Sequence, residues 1–426
     1  SARQLKAENI YLVYGFGGEM LKARVSGDDL TFVEQTEQLG TGHAVDMASP
    51  YIKEDEDVLV LYGDVPLTRV STLESLMAVK PDNGMALLTV YLNNPTGYGR
   101  IVRDSNSDVV GIVEQKDASP EQLAINEANT GILLANGGDL KRWLSNLSND
   151  NAQGEYYLTD VIGILRTQGE IVLGYQANDP AESIGVNDRL ALSEAEGHMR
   201  QRINRQHMLN GVTIIDPSST YIGSDVSIGS DTILYPGTLL KGTTVIGDNC
   251  EIGPASEIED CQILDGAVIK HSVLCQAQVG ARTTVGPFAY LRPGAVLGDE
   301  VKIGDFVEIK NATIGDGSKV SHLSYVGDAT VGRNVNVGCG AITVNYDGYN
   351  KARTEIQDDA FIGSNVNLIA PVTVGKGAFV VAGSTITRSV SENDLAIARV
   401  RQENKPGYAE KIRSRAKAKK NQSSPL

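Results

Sequence analysis

The sequence predicts an α/β domain followed by a left-handed parallel β-helix of hexapeptide repeats. In residues 1–186, strand-like apolar runs alternate with polar helical stretches, as they do in α/β folds. In residues 211–398, an aliphatic residue recurs at every sixth position within several blocks, and the register slips between the blocks. Neither a helix nor an ordinary strand produces a period of six. The length of 426 residues also favours two domains.

The α/β prediction rests on three apolar runs typical of buried strands, Ile10–Tyr14, Val58–Tyr62 and Ala86–Val90. Residues 187–210 differ from this pattern, because apolar side chains are spaced among many charges there. That spacing indicates one amphipathic connecting helix. The apolar residues of this segment are Leu190, Leu192, Ala195, Met199, Ile203 and Met208.

Each repeat of the predicted β-helix has an inward aliphatic residue, often followed by a Gly that permits a tight turn. Three repeats close one triangular rung of roughly eighteen residues. The period breaks at about residues 343–355, and such a break usually serves a ligand or a neighbouring subunit. The periodic positions are Ile222, Ile228, Leu234, Leu240, Ile246, Ile252, Ile258, Val279, Val285, Leu291, Leu297, Ile303, Ile309, Ile314, Val320, Val326, Ile356, Ile362, Leu368, Val374, Val380 and Ile386.

Composition excludes several classes of function. A formal net charge of -15 argues against general nucleic-acid binding, which needs a basic surface. No apolar run reaches the roughly 18 residues of a membrane span and no secretory leader is seen, so we expect a cytoplasmic protein. The four cysteines (Cys250, Cys261, Cys275 and Cys339) lack zinc-binding spacing.

Residues 399–426 form a basic tail on an acidic protein, since residues 399–420 hold nine Lys or Arg and two Glu. One interpretation is a solvated tail without a partner. The other is electrostatic attraction of an anionic ligand near the end of the β-helix. Both interpretations stay open at this point.

Two N-terminal segments carry residues with binding chemistry. Gln38–Ala44 is a Gly-containing turn before a helix, where backbone N–H groups can hold a phosphate or a uracil edge. Asp64 follows a buried strand, at the sheet edge where α/β proteins bind ligands, and a lone carboxylate there suits Mg²⁺. Taken alone, each segment could equally be an ordinary turn or a helix cap.

Polar residues also gather around the break in the β-helix. Arg292 and Lys310 are about one rung apart, so we expect them to stack on one face, where two cations suit a sugar phosphate. His322 is a candidate general base, because imidazole titrates near neutral pH. The alternative is a pure scaffold with solvated charges. The full set is Arg292, Lys310, His322, Tyr325, Asn336, Asn345, Tyr346 and Lys351.

Five motifs together make the chain similar, over essentially its whole length, to a known family. They are Glu37–Ala44, Gly63–Leu67, Pro95–Arg100, Asn151–Tyr157 and Asn345–Gly348. The chain closely resembles the bacterial bifunctional N-acetylglucosamine-1-phosphate uridyltransferase / glucosamine-1-phosphate N-acetyltransferase. The resemblance implies a Rossmann-like nucleotidyltransferase domain in residues 1–186 and an acetyltransferase domain in the β-helix.

For the first domain, the resemblance implies transfer of a uridylyl group from UTP to N-acetylglucosamine 1-phosphate, with release of pyrophosphate. It implies that Asp64 and Asn187 hold Mg²⁺. The implied UDP-sugar site consists of Gln35, Gly40, Thr41, Tyr62, Gly63, Asp64, Gly99, Glu114, Asn129 and Asn187.

One departure from the family concerns the beginning of the first domain. The family opens with a strand and a glycine-rich loop that clamp the triphosphate, and this chain starts after that point. Because phosphoryl transfer depends on positioning and charge neutralisation, we expect uridylyl transfer to be impaired or lost. We also expect this incomplete domain to have an unpaired sheet edge.

For the β-helix, the resemblance implies direct attack of the amine of glucosamine 1-phosphate on acetyl-CoA, with His322 as general base. Donors near Asn345 and Tyr346 would stabilise the oxyanion. The sugar phosphate would contact Arg292, Lys310, Tyr325, Asn336 and Lys351. Acetyl-CoA would contact Cys339, Asn345, Tyr346, Ser364, Ala382 and Arg399.

Two other chemistries are conceivable for the β-helix, a nucleophilic thiol and a zinc site. Cys339 stands where the family usually has Ala, and a small residue in a packed turn is preferred over a nucleophilic thiol as its interpretation. A zinc site is rejected, because only His271 and His322 occur within the β-helix.

We therefore expect a bifunctional enzyme of UDP-N-acetylglucosamine synthesis, which supplies precursors of peptidoglycan and lipopolysaccharide. The resemblance also implies Mg²⁺, acetyl-CoA as co-substrate, and a homotrimer with active sites between subunits. No nucleic-acid or membrane partner is expected. Two alternatives remain, a nucleotide-sugar pyrophosphorylase whose β-helix only assembles the trimer, and a noncatalytic solenoid.

Overall fold

The computed structural model describes residues 1–151 and 153–422, with the main chain alone at positions 421 and 422. Ala152, inside the Asn151–Tyr157 motif, and residues 423–426 of the basic tail lie outside the described part. The chain forms two compact units, the first being Ser1–Met199 and the second beginning at Arg200. Among the described helices, none has the length and apolar character that crossing a membrane requires.

The first unit alternates strands and helices, as its apolar runs predict. Its strands are β1 (Ile10–Tyr14), β2 (Leu30–Glu34), β3 (Asp57–Val60), β4 (Gly84–Tyr91), β5 (Arg100–Arg103), β6 (Val109–Val113), β7 (Glu127–Asn136) and β8 (Ile171–Gln176). Its helices are α1 (Gly18–Arg24), α2 (Thr41–Ala48), α3 (Val70–Val79), α4 (Pro120–Leu123), α5 (Gly137–Leu144) and α6 (Val161–Thr167), with 3₁₀ turns at Ser49–Tyr51, Leu158–Asp160 and Pro180–Ser183.

The strands of the first unit form two separate sheets. Among the residues that the structure describes, strands β1 and β2 pair only with each other, in parallel. The larger sheet has the order β6-β5-β7-β4-β8, and β3 pairs antiparallel with β7. Buried side chains such as Leu87, Leu134 and Trp143 fill its two faces, which explains the unbroken apolar run of β4. The first domain is therefore a mixed α/β layer structure, as predicted.

The connecting segment is helical, as expected, and its helix α7 spans Arg189–Leu209. Its apolar face is less buried than the pattern predicts. Ala195 is buried, whereas Leu190, Leu192 and Met208 are exposed. Asn204 is the helix residue that is fully enclosed in the second unit, where its side-chain amide donates to the carbonyls of Pro217 and Thr220.

The second unit is a left-handed parallel β-helix of very short strands, which confirms the six-residue repeat. The strands are β9 (Thr213–Ile214), β10 (Tyr221–Ile222), β11 (Ser227–Ile228), β12 (Ile233–Leu234), β13 (Leu239–Lys241), β14 (Val245–Ile246), β15 (Glu251–Ile252), β16 (Glu257–Glu259), β17 (Gln262–Ile263), β18 (Val268–Ile269), β19 (Val273–Cys275), β20 (Gln278–Val279), β21 (Thr284–Val285), β22 (Tyr290–Leu291), β23 (Val296–Leu297), β24 (Lys302–Asp305), β25 (Glu308–Lys310), β26 (Thr313–Ile314), β27 (Lys319–His322), β28 (Tyr325–Gly327), β29 (Ala329–Val331), β30 (Asn336–Val337), β31 (Ile342–Val344), β32 (Thr354–Ile356), β33 (Phe361–Ile362), β34 (Asn367–Ile369), β35 (Val372–Val374), β36 (Phe379–Val380), β37 (Thr385–Ile386) and β38 (Leu395–Ala396).

These strands build the three faces of a prism, which we call faces A, B and C. Face A runs from β9 through β12, β15 and every third strand to β36, and ends with β38. Face B runs from β10 to β37 and face C from β11 to β35, again at every third strand. Successive rungs are joined by parallel pairing, for example Tyr290 with Glu308 and Glu308 with Tyr325 on face B.

The interior of the prism is a column of aliphatic side chains. Leu234, Ile252, Leu274, Ile303 and similar residues are almost completely buried, whereas the residue before each of them points outward. Buried hydroxyls near the corners donate to backbone carbonyls, as Thr283 does to Gly298 at 2.7 Å. The column leaves little space for rings, in agreement with the 5% aromatic content.

The predicted break in the repeat is an excursion between β31 and β32. At equivalent corners, the amides of Asp248 and Ser230 donate to aspartates 17 and 18 residues further along the chain, whereas the Arg333 amide donates to Asp358, 25 residues further along. The excursion is closed by an isolated antiparallel bridge between Tyr346 and Lys351. Beyond the last rung, the basic tail contains helix α8 (Tyr408–Gln422).

We predict that Leu274→Ala lowers the free energy of unfolding of the second unit by about 2–5 kcal/mol, because it removes buried methyl groups from a closed column. Guanidinium unfolding of the full chain measures the change. Val273→Ala is the matched control in the same strand, since Val273 is exposed and its loss should cost within about 0.5 kcal/mol. Equal losses in the two variants would contradict this account of the core.

Candidate active site

The edge between faces A and B carries a vertical column of predicted site residues. Val320, Val337, Ile362 and Val380 are successive partners in face A. The residues two positions after them therefore stack on four successive rungs. These four are His322, Cys339, Ser364 and Ala382, and Asp305 lies directly below His322. We call these five residues the edge column.

The edge column is held by backbone hydrogen bonds between rungs. The Leu323 amide donates to the Asp305 carbonyl at 2.9 Å, and the Gly383 amide donates to the Ser364 carbonyl at 2.8 Å. His322, Ser364 and Ala382 are exposed, so the column presents side chains and turn backbone to solvent. Such a ridge can follow an extended ligand over several rungs.

Arg292, Lys310 and Tyr325 lie on face B, next to this edge. The Arg292 amide donates to the Ile309 carbonyl at 2.8 Å, so Arg292 and Lys310 are neighbours on consecutive rungs. Glu308, which sequence reasoning missed, pairs with Arg292 at 2.8 Å between Nη1 and Oε1. The guanidinium of Arg292 thus already has one carboxylate partner, which orients it while its other nitrogens stay available.

The excursion is tied to face B by a buried carboxylate, which sequence reasoning also missed. Asp328 is only 8% exposed and accepts a hydrogen bond from Asn311 Nδ2 at 2.6 Å. It also accepts a short hydrogen bond from Asn345 Nδ2, and the same amide reaches Tyr325 Oη at 3.4 Å. Asp328 therefore fixes Asn345, the first residue of the excursion, against face B.

The charge of Asp328 is favoured by its surroundings. Burial by itself would raise the pKa of Asp328, but the hydrogen bonds from Asn311 and Asn345 and the charges of Lys351 and Lys310 hold it below its ordinary value. The ionised carboxylate in turn attracts both lysines. Lys310 from face B and Lys351 from the excursion are thereby drawn towards one position.

His322 makes a short contact with a carboxylate. Its Nδ1 lies 2.5 Å from Oδ1 of Asp305, one rung below. The hydrogen bond with His322 is the main cause that holds the pKa of Asp305 below its usual range. The sequence does carry a signal for Asp305, Glu308 and Asp328, because each lies about one rung from a predicted site residue, namely His322, Arg292 and Asn345. Only the exact register of the rungs shows that these pairs are in contact.

The remaining predicted residues of this site are distributed around the same region. Asn336 is on face A, in register with Lys319 and Phe361, and Tyr346 and Lys351 form the bridge that closes the excursion. Arg399 follows the last strand and lies close to Gly383, the residue after Ala382. Its Cδ is 3.6 Å from the position that a Cβ would occupy on Gly383. Arg399 therefore reaches the upper end of the edge column.

In the first unit, Gln35, Gly40 and Thr41 are close together. Gln35 Nε2 donates to the Gly40 carbonyl at 3.1 Å, and Gly40 precedes helix α2 with a φ of 110°, a conformation that requires glycine. The Leu158 amide donates to Thr41 Oγ1 at 3.1 Å. This turn exposes the start of a helix of eight residues, as the Gly-containing motif predicts.

Asp64 and Asn187 are brought together by the main chain. Asp64 follows strand β3, and its carbonyl accepts a 2.8 Å hydrogen bond from the Val186 amide, next to Asn187. Both side chains are exposed and supply oxygen atoms, the donor type that Mg²⁺ prefers. Within residues 1–151 and 153–422, no group of three His, Cys, Asp or Glu residues forms a metal cluster. The donors present fit a metal that takes most of its ligands from substrate and water.

Gly99, Glu114 and Asn129 also converge. The Asn129 amide donates to the Gly99 carbonyl at 2.9 Å. Glu114 is close to Gly99, since its Oε1 is 3.2 Å from the position that a Cβ would occupy there. Burial is the main cause that raises the pKa of Glu114 above its ordinary value, and the carboxylates of Asp160 and Asp117 add to it. Gly99 thus gives a ligand access to a carboxyl group that is partly withdrawn from water.

Tyr62 lies beside the group around Glu114. Its ring is 2.5 Å from the position that a Cβ would occupy on Gly131, two residues after Asn129. Burial raises the pKa of Tyr62, which keeps its hydroxyl protonated. Gly63, next in the chain, is exposed and has no neighbour near its Cβ position. The predicted UDP-sugar residues therefore form three local groups, around Thr41, Asp64 and Glu114.

Two sequence families match the chain, each within one of its units. The Nucleotidyl transferase family matches residues 19–180. The GMPPB C-terminal domain family matches residues 203–313 and 276–394.

Two relatives are similar over nearly the full length, and both are named Bifunctional protein GlmU. The protein of Brevibacillus brevis is 52% identical over 416 residues, which are 97% of this chain and 90% of the relative. The protein of Geobacillus sp. strain WCH70 is 55% identical over 412 residues, which are 96% of this chain and 90% of the relative.

We predict that Asp328→Asn lowers the Tm at pH 7 by about 2–6 °C, because a buried charged hydrogen-bond acceptor is lost. The pKa of Asp328 is lower in the folded than in the unfolded chain, where it is about 3.9. Its stabilisation is therefore present above pH 4 and is lost as the pH falls through the lower, folded value.

Calorimetry of both proteins between pH 7 and pH 3 measures this difference, which should shrink towards the acid end. Asp225→Asn, at an exposed position of the same unit, is the control and should leave Tm nearly unchanged at every pH. A deficit for Asp328→Asn that stays constant down to pH 3 would contradict the role of its charge.

Proposed function

The chain belongs to the bifunctional GlmU family, and on that premise we propose that its β-helix transfers an acetyl group from acetyl-CoA to glucosamine 1-phosphate, with His322 as general base. The family assignment supports an enzyme of UDP-N-acetylglucosamine synthesis with a nucleotidyltransferase and an acyltransferase domain. The observation that carries the proposal is the edge column, which joins an imidazole to an exposed ridge beside the cations of face B.

The sugar phosphate would bind to face B and the excursion. Arg292 and Lys310 are stacked cations on consecutive rungs, and Lys351 is drawn towards them by Asp328. A phosphate dianion held by these groups would leave the amine of the sugar near the edge, with Tyr325 and Asn336 as further hydrogen-bonding groups. The pairing of Arg292 with Glu308 supports this, because a preoriented guanidinium loses less freedom on binding.

Acetyl-CoA would extend along the upper part of the edge column. The turns at Cys339, Ser364 and Ala382 expose backbone groups at intervals of one rung, which suits a long and flexible pantetheine arm. Arg399 at the upper end would meet the phosphates of the nucleotide. The basic tail that follows Arg399 would strengthen the attraction of this anionic ligand.

The reaction would be a direct transfer without a covalent enzyme intermediate. The amine nitrogen attacks the thioester carbonyl while Nε2 of His322 takes up its proton. Donors near Asn345 and Tyr346 would stabilise the negative charge on the carbonyl oxygen. The C–S bond then breaks, the departing thiolate takes the proton held by His322, and the products are CoA and N-acetylglucosamine 1-phosphate. Cys339 acts only as a small turn residue in this scheme.

The first unit would bind UTP and N-acetylglucosamine 1-phosphate. The turn of Gln35, Gly40 and Thr41 would hold the uridine, and Gly99, Glu114 and Asn129 would hold the sugar. Asp64 and Asn187 would hold Mg²⁺, which neutralises phosphate charge when it is bound. For the whole chain, we propose a cytoplasmic homotrimer in which adjacent subunits complete each acetyltransferase site.

We predict that His322→Ala lowers kcat for acetyl transfer by about 10²–10⁴-fold, because the amine then lacks its proton acceptor. The assay is thiol release from acetyl-CoA in the presence of glucosamine 1-phosphate. His271→Ala is the matched control, since His271 is the other β-helix histidine and its ring packs on Phe288 at 5.6 Å. It should keep the activity of the parent.

Other outcomes of this assay discriminate between the alternatives. Activity in neither protein would favour a nucleotide-sugar pyrophosphorylase with a scaffold β-helix, or a noncatalytic solenoid. Unchanged turnover in His322→Ala would refute its role as base. Cys339→Ala should retain transfer, and its complete inactivation would indicate a covalent thioester route. Circular dichroism and sedimentation confirm that each variant keeps its fold and assembly.

We also predict that the first unit shows no measurable uridylyl transfer, because its predicted nucleotide-binding groups follow strands of two separate sheets. Strands β1 and β2, which lead to Gln35, form a sheet of their own, while β3, which leads to Asp64, belongs to the larger sheet. The turn that follows Gln35 and the carboxylate of Asp64, which would bind the same nucleotide, are therefore not held in one hydrogen-bonded sheet. We expect that their relative positions are not fixed precisely enough for the transfer. Pyrophosphate release with UTP, Mg²⁺ and N-acetylglucosamine 1-phosphate is the measurement. Turnover near that of the Brevibacillus brevis relative, assayed in parallel, would contradict the prediction.

A further inference from the structure

We propose that Asp305 is a positioning residue for acetyl transfer, which holds the His322 ring in the orientation and tautomer that leave Nε2 free to act as base. This inference rests on the proposed function of the β-helix. It concerns a residue that contacts the base and is separate from the groups assigned to either substrate.

The contact between the two residues follows from the register of the prism. Asp305 ends β24 and His322 ends β27, and the two are direct partners on consecutive rungs of face A. Each is followed by a corner residue with positive φ, Phe306 at 56° and Leu323 at 47°. The Leu323 amide donates to the Asp305 carbonyl at 2.9 Å, which locks the two corners together. The backbone therefore aims both side chains to the same side of the edge.

The hydrogen bond selects one form of the imidazole. Nδ1 of His322 lies 2.5 Å from Oδ1 of Asp305, and an ionised carboxylate can only accept. The neutral ring must then carry its proton on Nδ1, so the lone pair is on Nε2. The hydrogen bond from His322, together with one from the main chain, holds the pKa of Asp305 below its ordinary value, so the carboxylate stays ionised at neutral pH.

His322 needs such a partner because little else restrains its ring. The side chain is 59% exposed, and in the described part of the chain Nε2 has no hydrogen-bond partner. A ring on an open edge would otherwise rotate and exchange tautomers. The carboxylate also stabilises the positive ring that forms when Nε2 takes the proton of the amine.

Other charged groups near this pair are few. On β24 and β27 they are Lys302 and Lys319, which are register partners on the outer surface of face A, three residues before the pair. Strand β30, the next rung above, has no charged residue. Across the edge, on face B, the titratable groups that follow in the chain are Glu308 and Lys310 on β25, with Glu308 paired to Arg292, and Tyr325 on β28. Asp305 is thus the one carboxylate in contact with the ring among the residues described.

The test compares Asp305→Ala and Asp305→Asn in the full chain, with kcat and KM for both substrates. We expect Asp305→Ala to lower kcat about 10- to 100-fold while both KM values stay within about threefold, because the base is misoriented but the binding groups are intact. Asp305→Asn should recover part of kcat, since its amide oxygen can still accept from Nδ1.

The pH profile of Asp305→Asn separates positioning from a structural role. Without the negative charge beside it, the protonated ring is less favoured, so the acidic limb of kcat/KM should move to lower pH. Asp260→Ala is the matched control, because Asp260 is another β-helix carboxylate that accepts inter-rung hydrogen bonds, from Thr243. It should leave kcat and the pH profile unchanged.

Failure of this inference is distinct from failure of the proposed function. If His322→Ala is inactive but Asp305→Ala keeps kcat within twofold, only the role of Asp305 is wrong. If His322→Ala is active, the proposed base is wrong as well. Should Asp305→Ala be poorly folded, Asp305→Asn decides: an acidic limb at the parental pH overturns the inference, and a shifted limb supports it.

Discussion

The parallel pairing of each short strand with the strand one rung later is the interaction on which the second unit depends. A strand of two or three residues cannot persist alone, because it makes too few hydrogen bonds to offset the loss of backbone freedom. Here every such strand pairs with its neighbours in the stack, and its inward side chain joins an unbroken aliphatic column. The hydrogen bonds set the register, and the column excludes a slip by one residue, because that would turn every aliphatic side chain outward.

The same register creates the candidate active site. Residues far apart in sequence become direct neighbours when they occupy the same position of successive rungs, as His322 and Asp305 do. Stacking of equivalent positions also brings like charges together on consecutive rungs, as it does for Arg292 and Lys310, and their repulsion is unfavourable. Glu308 beside Arg292, and Asp328 beside Lys310 and Lys351, reduce this repulsion. The excursion after β31 departs from the stack where this network offers partners for Asn345. A regular scaffold and an irregular loop thus meet at one buried carboxylate.

The first unit reaches its candidate site by a different route. Its candidate site residues follow strands or precede a helix, so their positions depend on how loops from distant parts of the chain are joined. Two backbone hydrogen bonds connect these loops, one from the Val186 amide to the Asp64 carbonyl and one from the Asn129 amide to the Gly99 carbonyl. These residues have no periodic spacing in the sequence. The residues themselves pointed to the turn at Thr41 and to Asp64, whereas the group around Glu114 could be assigned only through the family resemblance.

The sequence alone determined the class of both units, the position of the break in the β-helix and the stacking of Arg292 on Lys310. It could do so because aliphatic periodicity reports directly on which side chains must be buried. It did not reveal Asp305, Glu308 or Asp328, because rungs differ in length and a shift of one residue changes which side chains meet. It also overestimated the burial of the connecting helix, where spacing alone does not show what packs on it. Only the tertiary structure decided the partners, since hydrogen bonds between charged groups depend on register to within one residue.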